Sequence, residues 1–385
     1  MLSNQSHLFS LEDEVTYINT AYMSAQLKQV EEAGVAALRQ KSQPYTIAPA
    51  DFFGPVKMLK ALFAQLIETP EPDRIALIPS VSYGMATVAN NLHLQSGDEV
   101  VVLAEQFPSN VYPWMNKVEE AGAKLVAVPA PEQREGRGAA WNERLLAAIG
   151  PKTKMVAMAH VHWADGTKFD LAAVRAKTRE VGALLVIDGT QSVGALPFSV
   201  KEFEPDALIC AGYKWLMGPY SSGLAYYGPA FDGGQPIENN WITRKNSEDF
   251  GNLINYQTEY GPMAARYSVG EHSNFIMVPM LTAAIQQLLD WTPTAIQEYT
   301  AHIAQKAIPE LENLGCYIEP PTHRGHHLFG VHFPKDFPIE ALKERLLKAN
   351  VHVSYRGAFM RVAPHVFNTE KDFDTLVSHF KAVLA

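Results

Sequence analysis

Short apolar runs alternate with amphipathic stretches through the middle of this chain. RIALIPS, EVVVLA, KLVAVPA, KMVAMAHV, ALLVIDG, ALICAG and GLAYYG, between Arg74 and Gly228, read as strands. Stretches such as YGMATVANNLHL and LAAVRAKTREVG, which carry apolar residues at helical spacing, separate most of them. That alternation predicts an α/β domain with a largely parallel sheet. From Phe231 to Phe275 the pattern breaks into a segment rich in Gly, Asn and Pro with isolated aromatics, Trp241, Tyr256 and Tyr260. Segments of that kind are usually functional or disordered. MLTAAIQQLLDW then begins a helical stretch running through IPELENL. YIEP, HHLFGVHF, HVSYR and MRVA look like strands of a small α+β unit.

Composition narrows the class. The chain has 385 residues, long enough for two domains and a large core, with 47% hydrophobic and 19% charged residues. A net charge of −9, without a basic run, argues against nucleic acid as a partner. No run approaches the ~20 apolar residues of a membrane span, and the first residues lack the charged and apolar regions of a signal peptide. A cytoplasmic location is the expectation. The two cysteines, Cys210 and Cys316, give no disulfide framework, and Cys210 lies in an apolar run as a core residue. His160 with His162, and His326 with His327, have no Cys, Asp or Glu cluster at ligand spacing, so no metal is expected.

Two residues suggest a cofactor instead. Lys214 sits where ALICAG gives way to a Gly/Pro-rich loop, and Asp188 sits where ALLVID ends. Pyridoxal 5'-phosphate (PLP) needs a partly desolvated primary amine for a Schiff base and an ionised carboxylate beside its pyridine nitrogen. The 26 residues from Asp188 to Lys214 leave room for a turn, a short helical segment and one strand. Neighbouring strands would then present both groups at one sheet edge, where open α/β folds bind ligands. Taken singly, a loop lysine is often only solvated, and an aspartate after a strand is often a turn former.

With these residues the chain resembles the class V aminotransferases. They are fold type I PLP enzymes that include cysteine desulfurases, kynureninases and isopenicillin N epimerase-like proteins. YINTAYMSA from Tyr17, PSVSYGMATVANNL from Pro79, EQFPSNVYPW from Glu105, HVHWADGTKFDL, VIDGTQSVGALP, AGYKW and RVAPHVFNTEKDFDTLV from Arg361 follow in the family's order. The resemblance implies a mostly parallel central sheet with helices on both faces, GLAYYG pairing antiparallel, and a smaller α+β domain. It divides the chain into an N-terminal segment reaching the active site (1–30), a PLP-binding domain (31–285) and a small domain (286–385). It implies that Lys214 holds the cofactor and shuttles a proton, and that Asp188 keeps the pyridine nitrogen charged. Phe107 covers the ring and Gln191 approaches the phenolic oxygen. Val81, Ser82 and Gly84 at a helix start receive the phosphate, with Tyr213 adding a hydroxyl. Arg361 grips the substrate carboxylate, and Asn19 in the N-terminal segment joins it. Read from the residues alone, Arg356 competes with Arg361 for that carboxylate; the position before VAPHVFNT favours Arg361, with a second carboxylate or the small-domain loop left to Arg356. It also implies a homodimer whose sites are completed across the interface by the irregular segment.

Some positions depart from the family pattern. Trp163 stands where desulfurases usually have asparagine, and Ala211 replaces a frequent phosphate-binding serine. GEHSNF from Gly270 replaces a Gly-Thr motif, with Ser273 as a substitute phosphate ligand from the partner subunit. SYRGAFMR, before and including Arg361, lacks the cysteine that desulfurases use to take up sulfur, so a persulfide mechanism is not expected. The expected activity is PLP-dependent Cα deprotonation of an amino acid, with transamination first. A cysteine-independent carbon–sulfur β-lyase comes second and an isopenicillin N epimerase-like activity third. A cofactor-binding protein that has lost catalysis is the reading from another class.

Overall fold

The computed structural model describes residues 2–385. The chain opens with β1 (Thr16–Tyr17), α1 (Lys28–Lys41), α2 (Gly54–Leu66), β2 (Ile75–Ile78), α3 (Val81–Asn91), β3 (Glu99–Leu103), α4 (Tyr112–Ala121) and β4 (Lys124–Val128). It continues through α5 (Arg137–Ala148), β5 (Thr153–Ala159), α6 (Leu171–Val181), β6 (Leu184–Asp188), α7 (Val200–Phe203), β7 (Ala207–Ala211) and β8 (Gly223–Tyr227). After an irregular stretch come α8 (Met277–Trp291), α9 (Pro293–Ala304), α10 (Ala307–Asn313), β9 (Phe329–His332) and α11 (Ile339–Lys348). β10 (Val351–His352), β11 (Ser354–Arg356), β12 (Phe359–Val362) and α12 (Glu370–Leu384) complete it.

Seven strands form the central sheet in the order β2-β8-β7-β6-β5-β3-β4. β4, β3, β5, β6 and β7 are mutually parallel, and β8 runs antiparallel to both of its neighbours. β7 and β8 are buried along their whole length, because helices and loops cover both faces. The alternation of the pleat divides their side chains. Leu208, Cys210, Leu224 and Tyr226 join one apolar cluster, and Ala207, Ile209, Ala225 and Tyr227 join the other. Gly84 lets α3 lie close to the sheet, since a Cβ there would come within 2.7 Å of Ile209 Cγ2.

The helical stretch after Met277 is three helices. Thr292, at φ +67°, turns the chain between α8 and α9, and its hydroxyl caps α9. Of the expected late strands, YIEP makes only an isolated bridge, Tyr317 to His332, while β9, β12 and β11 form an antiparallel sheet. β1 pairs in parallel with β10, so the N-terminal segment is tied to the C-terminal part of the chain. Among the described residues no helix is long and apolar enough to cross a membrane.

Gly194, at φ +105°, lies against the backbone of Trp215, the residue after Lys214. An alanine there meets both a disfavoured φ and the Trp215 carbonyl. Gly194→Ala should therefore cost about 2–3 kcal/mol, read as a lower thermal denaturation midpoint. Gly150→Ala, at a position with nothing within 4 Å of the added carbon, should leave the midpoint in place.

Candidate active site

Strand direction explains why distant motifs meet. The loops after β2, β3, β5, β6 and β7 emerge at one edge of the sheet. Because β8 is reversed, the loop before it starts from the same edge. Those loops line a cavity of about 270 Å³. Ser80 to Ser82 follow β2, Phe107 and Ser109 follow β3, and Trp163 follows β5. Asp188 to Gln191 close β6, Ala211 to Lys214 close β7, and Tyr220 to Ser222 lead into β8.

Lys214 and Asp188 are both buried in this wall. Burial, with smaller contributions from Arg361 and Arg356, pulls the Lys214 ammonium down to about 8 against the opposing charge of Asp188. Burial raises the Asp188 carboxyl, offset by hydrogen bonds from Thr190 and by the charge of Lys214. The Thr190 amide donates to Asp188 Oδ1 at 2.9 Å. Lys214 Nζ lies 5.4 Å from the centroid of Phe107, whose ring meets Trp163 edge-on at 5.5 Å.

The residues expected to receive a phosphate line the cavity together, with one exception. Val81 and Ser82 are the first residues of α3, and their amides have no acceptor within the helix. Gly84 is not a third free donor, because its N–H is donated to the Ser80 carbonyl at 3.2 Å. Ser80 also accepts from Tyr83 N, and its hydroxyl lies 2.9 Å from that of Ser82. Tyr213 faces the cavity with its ring 4.6 Å from Tyr220, and burial first, then nearby Tyr220 and Asp188, raise its pKa. Its hydroxyl therefore stays a donor. Ser222, at the same wall, stands near the position left bare by Ala211.

Gln191 is more committed than its sequence position suggests. Its Oε1 accepts from Trp215 Nε1 at 2.9 Å and its Nε2 donates to the Ala21 carbonyl at 3.0 Å. One N–H of the amide is left for a ligand. The buried His327 ring, with a pKa lowered to about 4 mainly by burial, holds the Gln191 carbonyl through Nε2 and lies 2.9 Å from Gln297 through Nδ1.

The N-terminal segment joins this wall to the C-terminal hairpin. Ser24 donates through both its amide and hydroxyl to the Tyr213 carbonyl. The Asn19 side-chain oxygen accepts from Ser354 Oγ at 2.8 Å, and Ser354 lies 3.5 Å from Arg361 Nη2. Arg361 is only 1% exposed, and burial, then Arg356, bring its pKa down to about 9. Its Nη1 donates to the Trp163 carbonyl at 2.6 Å, and its buried Nε has no partner. Arg356 lies over the Trp163 ring, 5.4 Å from guanidinium carbon to centroid. Trp163 thus makes no asparagine-like contact with the cofactor end; its indole N–H goes to the Glu105 carbonyl at 2.7 Å.

Ser273 is not brought to this cavity; it is buried elsewhere, beside His272. Among the described residues no three His, Cys, Asp or Glu side chains gather as a metal set. His162 instead lies 3.3 Å from Asp165, which also pairs with Arg137 at 3.1 Å. Thr190, Ser222, Tyr220 and Ser354 are among the polar residues that the sequence did not single out. Thr190, inside the motif that carries Asp188, had the clearest signal.

The residues fit PLP. Two free helix amides and a serine offer anion donors, a buried carboxylate sits opposite a buried amine, and an aromatic ring borders the space between. The family model for aminotransferase class V matches residues 50–359. An uncharacterized aminotransferase from Bacillus subtilis is 26% identical over 321 residues, 83% of this chain and 81% of that protein. A probable cysteine desulfurase of Vibrio cholerae is 30% identical over 166 residues, 42% of this chain and 40% of that protein. The structure of the cysteine desulfurase CsdA of Escherichia coli superposes with a TM-score of 0.79 at 19% identity, covering 98% of this chain and 97% of that one. The cystine C–S lyase C-DES, solved in complex with its reaction product cysteine persulfide, gives 0.83 at 19%, covering 96% and 97%.

Lys214 loses its proton as pH rises through about 8, so its reactivity toward an acylating reagent should rise with that midpoint rather than near 10.5. Arg361→Met removes a repelling charge and should move the midpoint up, whereas Asp188→Asn removes the supporting one and should move it down. Competitive labelling of the cofactor-free protein, read by peptide mass spectrometry, measures all three.

Proposed function

Because the chain belongs to the class V aminotransferases, we propose that it is a PLP-dependent enzyme that removes the Cα proton of an amino acid and carries out transamination. The observation that carries this reading is the buried Lys214 amine, lowered to about 8, facing Asp188 at a sheet edge where the buried Arg361 has no acidic partner. PLP, when bound, supplies an electron-withdrawing ring that stabilises negative charge at the substrate Cα.

The chain's own residues divide the remaining work. Lys214 holds the cofactor and then moves the Cα proton, for which a pKa near working pH is suited. Asp188 would support a positive pyridine nitrogen, and Phe107 would cover the ring. Ser82 and the Val81 amide take the phosphate with Tyr213, and Gln191 offers its remaining N–H. Arg361 binds the α-carboxylate through its planar fork, kept in place by Ser354, Asn19 and the Trp163 carbonyl. A homodimer belongs to the same proposal. It is supported by the exposed Ile254 and Tyr256 on the irregular segment, with Ser273 as the phosphate ligand supplied to the partner.

Transamination is favoured by the Bacillus subtilis relative, which matches most of the chain and is named an aminotransferase. Elimination of a β-substituent is the second reading, favoured by the fold shared with the cystine C–S lyase. The burial of Cys210 and Cys316 away from the cavity leaves no thiol to accept sulfur in either case.

An amino-acid panel with and without a keto-acid acceptor separates the readings. Transamination gives a keto acid and a new amino acid without ammonia; elimination gives pyruvate and ammonia with no acceptor. Bound cofactor whose spectrum is unchanged by every amino acid would identify a binding protein without catalysis. Lys214→Ala should lower turnover by at least about 10³-fold. Borohydride reduction of the wild type should leave the cofactor on the peptide that contains Lys214.

A further inference from the structure

The hairpin of β11 and β12 carries one more guanidinium than an α-carboxylate needs. Ser354 and Arg356 are two residues apart on β11, and Arg361 pairs with Ser354 across the hairpin. Strand geometry therefore puts all three on one face. Both guanidiniums gather on Trp163, Arg361 at its carbonyl and Arg356 above its ring, and Trp163 borders the cavity beside Phe107.

Among the described residues no carboxylate neutralises either cation. Their hydrogen bonds go to the carbonyls of Trp163 and Tyr355 and to one hydroxyl, and the buried Nε of each has no partner. Arg356 reaches only the carbonyl of its own neighbour, a contact that does little to hold the loop. Over the indole at 5.4 Å, the Arg356 guanidinium gives one N–H to the Tyr355 carbonyl and has others for a carboxylate.

We propose that the substrate is an amino acid with an acidic side chain, its α-carboxylate held by Arg361 and its side-chain carboxylate by Arg356. This assignment rests on the PLP-enzyme reading of the same site. The second negative group would answer the second cation, so that bound substrate offsets the repulsion that Lys214 feels from both arginines.

Calorimetric binding of glutarate, succinate and butyrate to the PLP-loaded protein tests it without turnover. One diacid should bind at least about tenfold more tightly than butyrate. Arg356→Gln should abolish that preference, weakening the favoured diacid at least about tenfold more than butyrate. Arg356→Lys, which keeps the charge but loses the fork, should fall between. Arg361→Gln should weaken all three ligands. Equal affinities in the wild type, or an equal loss for mono- and diacids in Arg356→Gln, would overturn the assignment. Cofactor uptake is read from absorbance in the same samples. No uptake would defeat the underlying PLP reading, whereas uptake without a diacid preference would defeat only the acidic-substrate assignment.

Discussion

The charge on Lys214 is disfavoured by burial, supported by one carboxylate, Asp188, and repelled by two guanidiniums, and this balance shapes the site. Burying an amine costs free energy unless it is paired or loses its proton. Asp188 supplies the pairing, and the depressed pKa shows that it does not fully suffice. Were Asp188 absent, the lysine would titrate lower still. Were the arginines absent, it would titrate higher, and less of its amine would be free to attack a carbonyl near neutral pH. A nucleophilic lysine is thus a product of this neighbourhood, since the side chain alone is protonated near neutral pH.

Holding those charges together requires parts of the chain that are far apart in sequence. The sheet delivers Asp188 and Lys214 at the ends of adjacent parallel strands, a rigid arrangement with little local freedom. Arg361 comes from the other end of the chain, on a hairpin outside that sheet. The stretch from Asn19 to Ser24 bridges the two, bonding Tyr213 and Gln191 on one side and Ser354 and Ala363 on the other. A shift of the hairpin would therefore be felt at the lysine loop through hydrogen bonds as well as through charge.

The sheet was legible in the sequence because each strand is a short apolar run, and helical spacing between runs points to parallel pairing. Asp188 and Lys214 were legible for the same reason, since a polar residue ending an apolar strand stands out. The phosphate end was less so. Gly84 looked like another donor, yet its amide is used inside α3 and its missing side chain serves packing against Ile209. Only the helix register decides between those roles. Thr190 and Ser222 escaped notice because a hydroxyl in a loop is common, and no spacing rule links Ser222 to the lysine preceding it. The break at Thr292 was hidden within a continuous helical pattern, because a positive φ at threonine leaves no periodic trace.

A buried guanidinium without an acid is a cost that the folded chain carries before any ligand arrives. Arg361 bears it because carbonyl and hydroxyl acceptors replace part of its hydration, leaving Nε unmet. Replacing it with an apolar residue of similar size would relieve that cost, as often happens when unpaired buried charges are removed. The same replacement would take away the fork that orients an α-carboxylate. Stability and ligand recognition pull in opposite directions at this position. An anion that binds only the folded chain reverses the balance, because it supplies the missing charge and stabilises the native state by mass action. The strain at Arg361 is then greatest in the empty site and least in the occupied one, and that difference contributes to affinity for an acid.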